Sequence, residues 1–167
     1  MSLKGPLAII GYMGSGKSTV GRILARRLGW EFVDLDTELA VREKRPIPQI
    51  FRESGEGYFR DLESRGLAWA LRTEERVVAC GGGVVLREEN RRLLSAVSTV
   101  FLEEDLGVLY ARTRGDSRPL RGTSREEFER RYAEREALYA ESCGLRVLVD
   151  GRTPEEVAEE VLRWMKG

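Results

Sequence analysis

Histidine is absent from the 167 residues, and cysteine occurs only as Cys80 and Cys143. Without histidine the chain has no imidazole to serve as a general base near neutral pH, and the usual His-containing zinc sites are excluded. The two cysteines form no spacing motif, and two thiols alone make a poor zinc site. With no disulfide framework and no leader signature, a reduced, cytoplasmic setting is expected. No apolar run approaches the ~20 residues that cross a bilayer, so no membrane partner is expected. Net charge is missing as well, because 28 Lys+Arg balance 28 Asp+Glu. A nucleic-acid partner has no global electrostatic footprint here, and any anion site has to be assembled locally. Asn90 and Gln49 are the only residues of their kinds, and arginine far exceeds lysine, in keeping with a thermophilic or GC-rich source.

What is present is an alternation of apolar runs and amphipathic stretches, at a length that fits one domain spanning 1–167. Strands are expected at 6–10, 31–36, 76–80, 98–104 and 145–150. Helices are expected at 15–29, 37–44, 48–53, 57–72, 88–95, 105–112 and 125–141, with a last one after Thr153. Gly29 reads as the C-cap of the first helix. Thr153-Pro154-Glu155-Glu156 and Ser124-Arg125-Glu126-Glu127 read as capping boxes. Apolar strands separated by helices imply an α/β fold, a parallel sheet covered on both faces. Ligands of such sheets bind outside the carboxyl ends of the strands.

The chemistry-bearing motifs all fall at those ends. After "LAII" comes "GYMGSGKST" (11–19), with the spacing G-x-x-x-x-G-K-S at Gly11, Gly16, Lys17 and Ser18. Glycines let the backbone aim several N–H groups at one phosphate, and the following helix adds its positive end. The stretch Gly14, Ser15, Gly16, Lys17, Ser18 and Thr19 is therefore expected to bind a nucleotide, with Lys17 on the β- and γ-phosphates and Ser18 on Mg2+. "VDLD" places Asp34 and Asp36 two apart on what reads as extended chain, which points both the same way. Asp34 suits the metal and Asp36 an acceptor hydroxyl; Asp36 as a plain helix N-cap is the alternative.

Arginines supply the rest. Phe128, Tyr132, Arg135 and Tyr139 share one helix face. A charge on an aromatic stripe needs either an internal carboxylate or an anionic ligand. In "GEGYFRDLE" (55–63) Arg60 is spaced to meet Glu56 and Glu63. That is either a solvated ladder or a pair of acids orienting Arg60 towards a carboxylate or phosphate. Gly81, Gly82 and Gly83 suggest close approach of a ligand to the backbone. "RGDSRPLRGTS", with Arg114, Arg118 and Arg121, has the composition of a mobile cover over phosphates at about 113–124. Together these parts describe a kinase for a small anionic molecule bearing a hydroxyl.

The motifs "GYMGSGKSTVGRILARRLG", "DLD", "IPQIFRESGEGYFRDLE", "CGGGVV", "RPL" and "REALY" occur in the order found in the shikimate kinase family, which the chain resembles over nearly its whole length. The phosphate loop and DxD are shared with gluconate and nucleotide kinases; the GExxFRxxE segment with the triple glycine is far more specific. The resemblance implies a three-layer fold similar to nucleoside monophosphate kinases, with a five-stranded parallel sheet in the order 2-3-1-4-5. It implies transfer of the ATP γ-phosphate to the 3-hydroxyl of shikimate, on the route to the aromatic amino acids, by a monomer. By resemblance, a helical segment at about 34–61 holds shikimate. Asp36 binds its hydroxyls, Arg60 and Arg135 its carboxylate, and Gly81, Gly82 and Gly83 line the acceptor site. Arg118 becomes the lid arginine, and Arg112 and Arg152 flank adenine. Ser18 binds Mg2+ directly and Asp34 supports its water shell. Cys80 departs from the family, which commonly has a small hydroxyl residue there; a thiol is a weaker hydrogen-bond partner.

Overall fold

The computed structural model describes residues 5–114 and 124–167. Its strands are β1 (Leu7–Ile10), β2 (Glu31–Asp34), β3 (Arg76–Ala79), β4 (Ser98–Glu103) and β5 (Leu145–Leu148). They form one parallel sheet in the order β2-β3-β1-β4-β5, as the resemblance implied. The helices are α1 (Lys17–Leu28), α2 (Leu35–Glu43), α3 (Ile47–Ala70), α4 (Glu88–Ser95), α5 (Leu106–Arg112), α6 (Arg125–Ser142) and α7 (Pro154–Lys166).

Successive side chains of a strand face opposite sides of the sheet, so β1 divides its residues between two cores. Leu7 and Ile9 join Val20 and Leu24 of α1 and Val157 and Val161 of α7. Ala8 and Ile10 join Leu35, Ile50, Leu67 and Tyr139 from α2, α3 and α6. Both faces are covered, giving three layers, and this double burial is why β1 reads as an unbroken apolar run.

Several boundaries differ from the expected ones for local reasons. α1 begins at Lys17 rather than Ser15, because Gly14 and Gly16 sit at φ 84° and 88°, outside helical space. Its end is as expected: Gly29 is left-handed and its N–H returns to the last-turn carbonyls of Ala25 and Arg26. The expected helices at 48–53 and 57–72 are the two arms of α3, separated at Gly55 (φ 86°, ψ 169°), a conformation reserved for glycine. A short 3-10 turn, Val84–Leu86, follows the glycine run and was not anticipated. Thr153 and Glu156 form the full capping box, and Ser124 caps α6 through the Glu127 N–H while the Glu127 carboxylate reaches Arg131.

The "DLD" stretch is corrected more substantially. It is not extended: β2 stops at Asp34 and α2 starts at Leu35. Asp34 is the N-cap, accepting the Thr37 N–H at 3.1 Å, and Asp36 lies in the first helical turn.

Candidate active site

The loop between β1 and α1 is tightly wound. A Cβ at Gly11 would lie 2.7 Å from the Leu102 carbonyl oxygen and 2.9 Å from the Ser15 hydroxyl. Lys17 folds its ammonium back, donating to the carbonyls of Gly11 (2.9 Å) and Tyr12 (3.0 Å). The first turn of α1 carries no acidic side chain, so its positive end faces the loop unopposed. Gly14, Gly16, Lys17, Ser18 and Thr19 all line a cavity of about 550 Å³. Ser15 is buried beneath the loop.

The carboxylates meet the same cavity. The Ser18 hydroxyl donates to Asp34, making a pair of adjacent hard oxygen donors. Asp36 points towards the glycine run: a Cβ at Gly81 would fall 2.7 Å from Asp36 Oδ1 and 3.0 Å from Glu63 Oε2. Only a glycine lets the backbone pass between these two acids. The three glycines are a meeting line, with Gly82 beside the Met13 N–H of the phosphate loop and Gly83 beside the Arg60 guanidinium.

Arg60 is 7% exposed and Glu63 1%, which rules out a solvated ladder. Arg60 Nη1 donates to Glu63 Oε1 at 2.7 Å, and its Nε lies 3.4 Å from Glu56. Glu63 Oε2 is buried with no hydrogen-bond partner among the described residues. Burial pushes the Glu63 carboxyl above the usual range; Arg60 opposes that shift and the nearby Asp36 adds to it.

Arg135 is 5% exposed and has no carboxylate within ion-pair distance among the described residues. Its guanidinium lies 5.8 Å from the Tyr12 ring centroid. Of the two outcomes open to an arginine on an aromatic stripe, an internal carboxylate partner is not found among the described residues. The stripe itself fixes its position. Tyr12, in the phosphate loop, packs on Phe128 and Tyr132 and donates its hydroxyl to the Phe128 carbonyl at 2.8 Å. Tyr139 stacks on Phe101 at 5.0 Å and donates to the Gly82 carbonyl. Burial pushes the Tyr12 phenol up to about 12 and the Tyr139 phenol up as well, so both remain donors. The Cys80 thiol lines the cavity but is also pushed up by burial, so it stays protonated and non-nucleophilic.

Asp34, Asp36, Arg60, Gly81, Gly82, Gly83, Arg112 and Arg135 therefore all face one space with the phosphate loop. Arg112 donates to the Gly14 carbonyl (3.1 Å) and pairs with buried Glu104 (2.9 Å). Arg152 is not among the lining residues: it is tied to Glu160 at 2.5 Å and to the Leu148 and Glu156 carbonyls. Arg118 and Arg121, with most of the expected cover at 113–124, lie outside the described residues. Within the segment expected at about 34–61, the sequence did not single out the apolar wall of Ile47, Pro48, Phe51 and Phe59. Its one signal was the run "IPQIF", which looks like any amphipathic helix start.

A phosphate loop sharing a cavity with a carboxylate and buried arginines defines a P-loop kinase of small molecules. The matching protein-family model is described as shikimate kinase and covers residues 13–166. The chain belongs to the shikimate kinase family. It is 40% identical over 156 residues to a shikimate kinase from Persephonella marina, spanning 92% of this chain and 94% of that one. A solved shikimate kinase from Acinetobacter baumannii in complex with shikimate superposes at TM-score 0.93 with 30% identity, covering 97% of this chain and 93% of that one. One from Aquifex aeolicus superposes at 0.87 with 36% identity, covering 97% and 96%. The family consists of ATP-dependent kinases that work with Mg2+ and serve aromatic amino acid biosynthesis. No helix among the described residues is long and apolar enough to cross a membrane.

Proposed function

We propose that this cavity transfers the γ-phosphate of ATP to the 3-hydroxyl of shikimate, giving shikimate 3-phosphate and ADP, with the roles that follow. The observation that carries the reading is the shared cavity, in which the phosphate loop, Asp36, Arg60 and Arg135 line one space. The loop N–H groups and Lys17 hold the β- and γ-phosphates. Asp36 accepts the hydrogen bond of the acceptor hydroxyl and aligns its oxygen for attack. Arg60 and Arg135 hold the carboxylate, and the glycine run lets the ring approach the backbone. Arg112 sits beside the phosphate loop for the nucleotide, and Arg118 keeps its expected part in offsetting charge on the transferring group. Arg152 has only the resemblance to support a place near adenine.

The Ser18 hydroxyl and the Asp34 carboxylate suit Mg2+, which takes few protein oxygens and keeps several waters. The ion supplies charge neutralisation to the phosphates. We place the protein in the cytoplasm as a monomer of one domain, with two free cysteines.

The test is a coupled ADP-release assay with shikimate, gluconate, quinate and nucleoside monophosphates as acceptors. Activity confined to shikimate is expected; equal or better activity with another acceptor would overturn the assignment. Within this reading, Arg135→Ala raises the KM for shikimate by roughly 10- to 100-fold, the scale of a lost charged hydrogen bond. Turnover at saturation changes less, because ground-state and transition-state binding are lost together. An unchanged KM would make Arg135 a purely structural residue.

A further inference from the structure

The turn between α2 and α3 holds a charged cluster outside the cavity lining. Arg45 lies there with its side chain only 16% exposed. Its Nη1 donates to Glu53 Oε2 at 3.0 Å, and its Nη2 to Glu43 Oε2 at 3.1 Å and Ser54 Oγ at 2.9 Å. The guanidinium also covers the Tyr58 ring at 5.5 Å, and the Tyr58 hydroxyl donates to Glu43 at 3.0 Å. Gln49 occupies the other oxygen of Glu53 at 2.6 Å.

The partners belong to three separate pieces of chain. Glu43 ends α2, Glu53 and Ser54 precede the break at Gly55, and Tyr58 follows it. That break divides the parts of α3 that face the cavity. Ile47, Pro48 and Phe51 come from the first arm, and Phe59, Arg60 and Glu63 from the second. The first arm is otherwise held by buried Ile50 and by the Phe51–Phe59 contact at 4.9 Å. Apolar contacts keep the arms together but are non-directional. A planar fork with several fixed donors sets the first arm against the end of α2, and the Tyr58 ring over Arg45 and the Tyr58 hydroxyl on Glu43 carry that setting across the break.

We propose that Arg45 is a positioning residue for the acceptor: by bridging both sides of the Gly55 break and the end of α2, it sets the apolar wall against Arg60 and so fixes the fit of shikimate. This rests on the functional reading above.

The experiment measures kcat and the KM values for shikimate and ATP in the full-length protein, with thermal melts alongside. The variants are Arg45→Ala, Arg45→Lys and the double Glu43→Ala/Glu53→Ala. Arg45→Ala is expected to raise the shikimate KM about tenfold, the scale of a small misplacement, with the ATP KM and kcat within about twofold. Lysine, a point charge, restores only part of this. The double variant keeps the Arg45 charge and removes its acid anchors, so it also raises the shikimate KM. A shikimate KM that is unchanged in Arg45→Ala, or lowered or unchanged in the double variant, overturns the inference and leaves Arg45 a surface charge. If Arg45→Ala does not fold, Arg45→Lys and the double variant decide by the same criterion. A wild type that releases no ADP with shikimate overturns the functional reading, and this inference with it.

Discussion

Lys17→Met leaves a folded protein with no phosphoryl transfer. Methionine nearly matches lysine in length and volume, so packing around the phosphate loop is kept. What disappears is the ammonium, together with its bonds to the Gly11 and Tyr12 carbonyls. Those bonds show the ammonium curled over the loop, within the cavity proposed to hold the transferred phosphates. Charge aimed at the transition state from a desolvated site is worth several kcal/mol, so a fall in kcat of at least about 10³-fold is expected. The measurement pairs the ADP-release assay with a circular-dichroism melt. A folded variant retaining about a tenth of wild-type turnover is incompatible with the role given to Lys17.

Asp36→Asn lowers kcat by a factor on the order of 10² or more. Asparagine has the same shape, yet it cannot take a proton and it loses the charge proposed to align the acceptor hydroxyl. The same change also bears on the titration of its neighbour Glu63. Glu63 carries a raised pKa chiefly from burial, and Asp36 contributes to that rise. A carboxyl whose folded pKa exceeds its unfolded one binds more protons when folded, so stability falls as pH rises through that interval. Removing the Asp36 charge lowers the folded pKa of Glu63, so the part of this pH dependence that Asp36 contributes is lost in the variant. Near-wild-type kcat would rule out Asp36 as base or orienter.

The two substitutions probe parts of the molecule that were legible to different degrees. The phosphate loop could be read outright because its requirement is local. Glycines at fixed spacing between a strand and a helix dictate the turn, and Gly14 and Gly16 take the positive φ that such a turn needs. The α6 stripe was legible for the same reason: one face of a helix follows from 3.6-residue periodicity, and Phe128, Tyr132, Arg135 and Tyr139 are all buried. The alternatives left open at Arg60 and Arg135 were not decidable locally. Whether an i,i+3 or i,i+4 ladder is solvated depends on what other segments lie over it, and Glu63 is buried with the distant Gly81 backbone against its carboxylate. Asp34 shows the limit from the other side. Its nearness to the phosphate loop was foreseen, but an N-cap ending a four-residue strand looks like extended chain until the helix behind it is placed.

Order along the chain, residue spacing and helix or strand period were enough to specify which segments become strands and helices, where the nucleotide loop sits, and which arginines are out of place on apolar faces. They suffice because they express interactions within a few residues of one another. Long-range packing alone settled which charges lost their water, how Tyr12 and Tyr139 tie α6 to the phosphate loop and to Gly82, and how the bent α3 supplies the apolar wall. Desolvation and side-chain anchoring depend on atoms from remote segments arriving at the same place, and no local pattern encodes that coincidence.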